Sequence, residues 1–181
     1  DSQTQMVLDQ GVLDHFPALL RHPQSSVRKE ACWGLSNVAA GPPEQVNFVL
    51  DPSILVPLLR CCFDSALEVK KEAFWALNNT ASSVPGSQMA ADAFMDYGVM
   101  NTFVHGLLQY DQKINSLALQ ALGYILASTP KTNGRWPMFE YLVQKGLDAE
   151  FIEALKGLLS HSWDGVKDEA KEILDTYFKI D

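Results

Sequence analysis

Residues 29–39, KEACWGLSNVA, recur as KEAFWALNNTA at residues 71–81, with a period of 42 residues from Trp33 to Trp75. A medium-length apolar segment precedes each copy: VLDHFPALL at 12–20 and SILVPLLRC at 53–61. A shorter segment precedes each of those, TQMVLDQ at 4–10 and EQVNFVL at 44–50. The order of short, medium and long helix, repeated every ~40–47 residues, is typical of a solenoid built from three-helix units.

Two weaker copies continue the pattern, with helices predicted at 88–97, 99–109 and 112–127, then at 136–144, 149–159 and 166–178. The residues before the medium helices also match: Gly11, Asp51, Gly98 and Gly146. Ser65 and Glu68 have the spacing of a capping box for the second long helix. The sequence therefore predicts an all-α fold, one solenoid over residues 1–181 with repeats at 1–41, 42–84, 85–130 and 131–181.

On a helical wheel at about 100° per residue, the repeated motif has one buried stripe. The stripe residues are Ala31, Cys32, Leu35, Val38 and Ala39, then Ala73, Phe74, Leu77, Thr80 and Ala81. The opposite side carries one Glu, one Trp and one Asn in each copy: Glu30, Trp33, Asn37, Glu72, Trp75 and Asn79. Most tryptophans in helices pack in cores. Here both tryptophans lie outside the buried stripe, at equivalent positions of the repeat, which favours a surface that binds a ligand. We call these six residues the Trp–Asn surface.

The chemistry of the Trp–Asn surface suits an extended, cationic peptide. An Asn amide both donates and accepts, so it recognises peptide backbone whatever the side chain. Neighbouring indoles hold Lys or Arg stems and add cation–π attraction of about 0.5–2 kcal/mol each. Glu30 and Glu72 would meet the charged tips. An extended peptide rises ~3.3 Å per residue, so about three residues pass one ~9 Å helix step.

The pattern stops after two units. The third unit has Leu117, Gln120 and Tyr124 at the Glu, Trp and Asn positions, and in the fourth Glu172 and Thr176 replace the Trp and Asn. We therefore expect the stripe of the third unit, Ala118, Leu119, Leu122, Ile125 and Leu126, to be structural. The later units support the fold or bind something else.

Composition and spacing exclude several function classes. The net charge of -8 and the pI of about 4.9 argue against nucleic acid as a partner. No apolar run approaches the ~20 residues of a membrane span. No catalytic, metal or cofactor site is predicted, since no histidine lies in a metal or nucleophile motif. We expect His22 and His161 to have polar roles in turns.

The three cysteines, Cys32, Cys61 and Cys62, suit reduced thiols because their number is odd and two are adjacent. Cys61 and Cys62 are predicted to be a half-buried helix pair, with redox sensing as the alternative.

The motifs ACWGLSN and KEAFWALNN, in register and each with KEA at its start or just before it, closely resemble adjacent C-terminal armadillo repeats of importin-α. The similarity covers essentially the whole chain, from QTQMVLDQGVLDHF, which resembles the start of the seventh repeat, to FIEALKGLLSHSWDGVKDEAKEILDTYF, which resembles the tenth. The resemblance implies a right-handed superhelix of about four three-helix repeats. It also implies a nuclear import adaptor that shuttles between cytoplasm and nucleus.

By the same resemblance, Trp33, Asn37, Trp75 and Asn79 belong to the minor site for nuclear localisation signals of cargo proteins, and Glu30 and Glu72 match acidic groove residues. It further implies that the last repeat, 149–178, contributes to binding the export receptor. Importin-β is bound in the family through an N-terminal segment that this sequence lacks.

Two other functions remain open at the level of sequence. A β-catenin-like scaffold would bind acidic peptides through groove Lys and Arg residues, which the Trp–Asn surface lacks. An armadillo docking scaffold without specificity for localisation signals would show no preference for basic peptides.

Overall fold

The computed structural model describes residues 11–85, 87–128 and 137–178. Chain contacts divide the protein into two compact units, Asp1–Ser83 and Val84–Asp181. Within the described ranges, all regular secondary structure is helical. The predicted short helix at 4–10 and Trp136, the first residue of the next short helix, lie outside the described residues. The four repeat boundaries stay a prediction.

The first unit contains five described α-helices: α1 Phe16–Leu19, α2 Ser25–Ala39, α3 Pro43–Leu50, α4 Pro52–Cys61 and α5 Leu67–Ala81. A 3-10 turn, Val12–His15, precedes α1. The predicted medium helix at 12–20 is thus divided in two. Pro17 explains the division, because proline lacks an N–H and favours the first turn of an α-helix.

The second unit contains six described α-helices: α6 Gln88–Asp96, α7 Val99–Leu107, α8 Gln112–Ser128, α9 Pro137–Lys145, α10 Asp148–Leu158 and α11 Asp164–Ile173. The fourth long helix was predicted at 166–178. It begins two residues earlier and continues after Ile173 as a π-helix, Leu174–Phe178.

The residue that precedes each medium helix adopts one of two backbone conformations. Gly11, Gly98 and Gly146 have φ of 72°, 77° and 69°, in the left-handed region that glycine tolerates. Asp51 has φ of -59° instead, and its carboxylate accepts a hydrogen bond from the Ser53 N–H at 2.8 Å. At this position an aspartate that caps the helix with its side chain therefore takes the place of a glycine with positive φ.

The capping box predicted at Ser65 and Glu68 is wrong. α5 begins at Leu67, and its N-cap, Ala66, makes no side-chain cap hydrogen bond. Asp64 instead accepts from the Ala66 N–H at 2.9 Å. The side-chain acceptor is thus Asp64, one residue before Ser65. An aspartate carboxylate at this position accepts a hydrogen bond from the backbone N–H two residues later.

The same type of turn precedes each of the four long helices. A side-chain acceptor takes the backbone N–H two residues later, at 2.9–3.2 Å; the acceptors are His22 Nδ1, Asp64 Oδ1, Asp111 Oδ1 and His161 Nδ1. The polar turn role predicted for His22 and His161 is confirmed. In two of the four turns an imidazole Nδ1 therefore occupies the place of an aspartate oxygen.

The predicted stripes form the cores of the two units. All fifteen stripe residues of the three long helices predicted above are at most 4% exposed. Cys61 and Cys62 are also fully buried, which corrects the prediction of a half-buried pair. Burial raises the pKa of the Cys62 thiol, which favours the unreactive protonated form.

Candidate peptide-binding surface

The two tryptophans of the Trp–Asn surface are exposed while their helices are otherwise well packed. Trp33 is 53% exposed and Trp75 is 41% exposed. Their helices, α2 and α5, form the most extensive helix pair among the described residues. The indoles are therefore presented from neighbouring helices of one unit, and neither completes a core. Their role in binding stays a prediction.

A side-chain hydrogen bond joins the two helices within this surface. Asn79 of α5 donates from Nδ2 to the backbone carbonyl oxygen of Ser36 in α2, at 2.9 Å. Ser36 is buried, and its hydroxyl donates to the Trp33 carbonyl oxygen at 2.7 Å. The Asn79 amide is thus oriented by the neighbouring helix before any ligand arrives.

Asn37 has a similar but local arrangement. Its Nδ2 donates to the Trp33 carbonyl oxygen, one turn back, at 3.2 Å. An amide nitrogen carries two N–H donors and the amide oxygen accepts. One donor of Asn37 and one of Asn79 are therefore used within the protein. The second donor and the oxygen match what an extended peptide backbone offers.

Charges on the surface are arranged around the two glutamates. Glu30 is exposed and its Oε1 lies 2.9 Å from Lys29 Nζ, whereas Glu72 is half-buried. Lys71, at the position equivalent to Lys29, has its Nζ 4.0 Å from Glu68 Oε1. The placement of both acidic residues beside the indoles stays a prediction from the helical wheel.

An ion pair that the sequence did not suggest holds the two long helices in register. Arg28 contacts Asp64 through Nε at 2.6 Å and through an Nη at 2.9 Å. A second Nη of Arg28 donates to the carbonyl oxygens of His22 and Pro23. The Arg28 hydrogen bond is the main cause of a pKa of Asp64 below its usual range. The only indication of this ion pair in the sequence is Arg28, which stands where the second copy of the motif has Lys70.

Asn115 fastens the segment before the long helix of the third repeat, in the second unit. It lies in α8 at the repeat position of Arg28, and it is 1% exposed. Its Nδ2 donates to three carbonyl oxygens at the end of α7 and in the loop that follows, those of Gly106, Leu107 and Gln109, at 2.9–3.2 Å. Both units therefore use this position to fasten the loop before the long helix.

The face of the second unit differs from the Trp–Asn surface, as predicted. Leu117, at the position of Glu30, is only 3% exposed. Gln120 donates to the Ser116 hydroxyl at 3.0 Å, and both hydrogen-bond to Glu169 of α11. Burial nevertheless raises the pKa of Glu169, more than these hydrogen bonds lower it. Tyr124 is 40% exposed, and Glu172 and Thr176 are exposed.

Other types of site have little support in the described ranges. An open cleft of about 410 Å³ lies in the second unit between the loop 108–110 and the end of α10. Within the part of the chain that the structure describes, no three His, Cys, Asp or Glu side chains are grouped for a metal ion. The helices described are also too short or too polar to cross a membrane.

Comparison with known proteins finds armadillo repeats and importin alpha subunits. The armadillo/β-catenin-like repeat matches residues 1–40. Importin subunit alpha-1a of Oryza sativa subsp. japonica is 33% identical over 98% of this chain, and importin subunit alpha-4 of Arabidopsis thaliana is 30% identical over 88%. The chain spans about a third of these curated relatives, 34% and 30% of their lengths.

Solved structures agree with the fold. A designed armadillo repeat protein in complex with the peptide (KR)4 has a TM-score of 0.79 and 28% identity, covering 96% of this chain and 67% of the other. A computationally designed armadillo repeat protein for modular peptide recognition has a TM-score of 0.82 and 25% identity, covering 98% and 69%. The predicted all-α armadillo solenoid fold and the prediction of a non-enzymatic family are confirmed. Over nearly its whole length the chain is thus similar to importin alpha subunits, and its residues 1–40 match the armadillo repeat.

Proposed function

We propose that the Trp–Asn surface binds the basic nuclear localisation signals of cargo proteins, as the minor-site part of an import adaptor. The observation that carries the proposal is the exposure of Trp33 and Trp75 on two helices joined by the Asn79–Ser36 hydrogen bond. A single exposed apolar side chain is ordinary, but two indoles held in register form an apolar surface of the kind that marks a binding site.

Relatives and charge support the choice of a basic ligand. The relatives over most of the chain are importin alpha subunits, and one similar designed protein was solved with (KR)4. Glu30 and Glu72 beside the indoles supply negative charge, in a chain of net charge -8. The surface thus combines aromatic slots for Lys or Arg stems with carboxylates for their tips.

The wider transport roles belong to the same proposal. The chain would shuttle between cytoplasm and nucleus with its cargo, and the last repeat, which includes α10 and α11, would contribute to contacting an export receptor. Importin-β would be recruited only through a segment outside this sequence. Each of these roles follows from kinship with importin-α and would belong to the longer protein.

The test is titration of a fluorescent Lys/Arg-rich localisation peptide into the chain, followed by anisotropy. We expect saturable binding that weakens with salt, because the contacts are ionic. Trp33→Ala/Trp75→Ala should weaken it at least about 5-fold, since two cation–π contacts of at least ~0.5 kcal/mol are lost. Trp163→Ala is the matched control, because Trp163 is also 53% exposed but lies at the N-terminus of α11.

Equal affinity of the double variant and the wild type would contradict the proposed site. Binding of acidic and basic peptides alike would instead favour the docking-scaffold alternative.

A further inference from the structure

Lys29 places a positive charge of the protein itself within the Trp–Asn surface. Its Nζ lies 2.9 Å from Glu30 Oε1. The pKa of its ammonium group is raised first by this ion pair, and then by the nearby charges of Glu72 and Glu68 on α5. Lys29 is therefore paired with Glu30 and lies within electrostatic range of two carboxylates on α5.

Helix geometry explains why Lys29 is there. On the wheel, Lys29 is about 40° from Trp33, which follows one turn later on the same face. It is about 20° from Ser36, whose carbonyl oxygen accepts from Asn79 of α5. The side chain therefore leaves α2 on the side that faces α5. Consecutive helix residues point about 100° apart, so the long lysine side chain must bend across the surface to reach Glu30.

We propose that Lys29 is a specificity-determining residue, an intramolecular competitor that occupies the acidic part of the Trp–Asn surface and that a basic ligand must displace. The inference rests on the proposed function, because it assumes that cationic peptides bind there. It goes beyond that function by giving one residue an opposing effect on affinity. A ligand with a single positive charge gains little by replacing Lys29, whereas a run of Lys and Arg gains additional contacts with the indoles.

Displacement is feasible because the ion pair is exposed. The side chains of Lys29 and Glu30 are 40% and 62% exposed, and exposed ion pairs contribute little to stability. After displacement the ammonium remains tethered to α2 and repels the ligand. Two unit charges ~6 Å apart in water change Kd roughly 3-fold. Removing this charge should therefore strengthen peptide binding by about that factor.

The experiment compares wild type, Lys29→Met and Lys29→Arg in binding fluorescent (KR)4, at ionic strengths of about 0.01 M and about 0.15 M. Met and Arg are both good helix formers, so α2 should persist, and circular dichroism checks this. Lys156→Met is the matched control. Lys156 is 43% exposed and forms an i,i+3 pair with Glu153 at 3.3 Å in the second unit.

We expect Lys29→Met to bind about 3-fold more tightly, Lys29→Arg and Lys156→Met to bind like wild type, and the gain to shrink at the higher ionic strength. If wild type binds and Lys29→Met binds equally or more weakly, the competitor role is refuted and the proposed function stands. If neither binds, the proposed function fails and the inference fails with it. If Lys156→Met gained as much affinity as Lys29→Met, the change in net charge would explain the effect. The competitor role of Lys29 would then also be refuted.

Discussion

Replacing Asp64 by alanine tests how the first unit keeps its two long helices in register. The substitution removes both hydrogen bonds to Arg28, at 2.6 and 2.9 Å, and the acceptor for the Ala66 N–H at 2.9 Å. The Arg28 and Asp64 side chains are only 17% and 9% exposed, so Arg28 loses its counter-charge in a largely dry place. Both the loop and the helix pair that carries Trp33 and Trp75 depend on these contacts.

The magnitude follows from the type of contact. Hydrogen bonds to charged groups contribute about 1.5–3 kcal/mol, and breaking a fully buried ion pair costs about 3–5 kcal/mol. Because this pair is partly exposed, we expect the free energy of unfolding of the first unit to fall by about 2–4 kcal/mol. Asp64→Asn keeps the shape and an acceptor but loses the charge, so it should cost less.

Urea unfolding followed by circular dichroism measures the effect, and its pH dependence tests the cause. The pKa of Asp64 is lowered in the folded state, so its contribution is present above the unfolded pKa near 3.8 and is lost as pH falls through the folded value. The difference between wild type and Asp64→Ala should be constant above about pH 5 and should shrink below the unfolded pKa. A loss under about 0.5 kcal/mol at pH 7, or a difference that grows on acidification, would refute this reasoning.

Three further predictions concern packing and turns. Asn115→Ala removes three hydrogen bonds from a 1% exposed side chain, so urea unfolding should show the second unit destabilised by about 2–3 kcal/mol; an unchanged midpoint would contradict this role. His161→Asp should retain thermal stability because it keeps an acceptor for the Trp163 N–H, whereas His161→Ala should lose about 0.5–1.5 kcal/mol; equal melting temperatures would refute the turn role. The three buried cysteines should react with a thiol reagent only after unfolding, and rapid labelling of the native protein would revive the redox alternative.

The buried stripes and the exposed indoles could be predicted from the sequence because both follow from helical periodicity. Trp33 and Trp75 lie about 120° or more from the middle of the buried stripe, and the repeat places them in register. The exposure of these two residues is confirmed, while their contact with a ligand stays a prediction.

Contacts between distant residues could not be predicted. Arg28 and Asp64 lie on different elements, and their pairing depends on the path of the loop between α4 and α5. Leu117 occupies the wheel position of an exposed glutamate yet is buried, because α8 packs against both α7 and α11. The Asn79–Ser36 hydrogen bond likewise depends on the approach of two helices, which no single-helix pattern contains.

The most direct test of the central claim is to record the indole N–H resonances of the ¹⁵N-labelled chain during titration with (KR)4, assigning each peak by Trp→Phe substitution. We predict that the Trp33 and Trp75 resonances shift together and saturate with one Kd. The Trp163 resonance should stay in place although its side chain is as exposed as that of Trp33. Shifts of Trp163 with Trp33 and Trp75 unmoved would show that a basic peptide binds elsewhere, and would contradict the account.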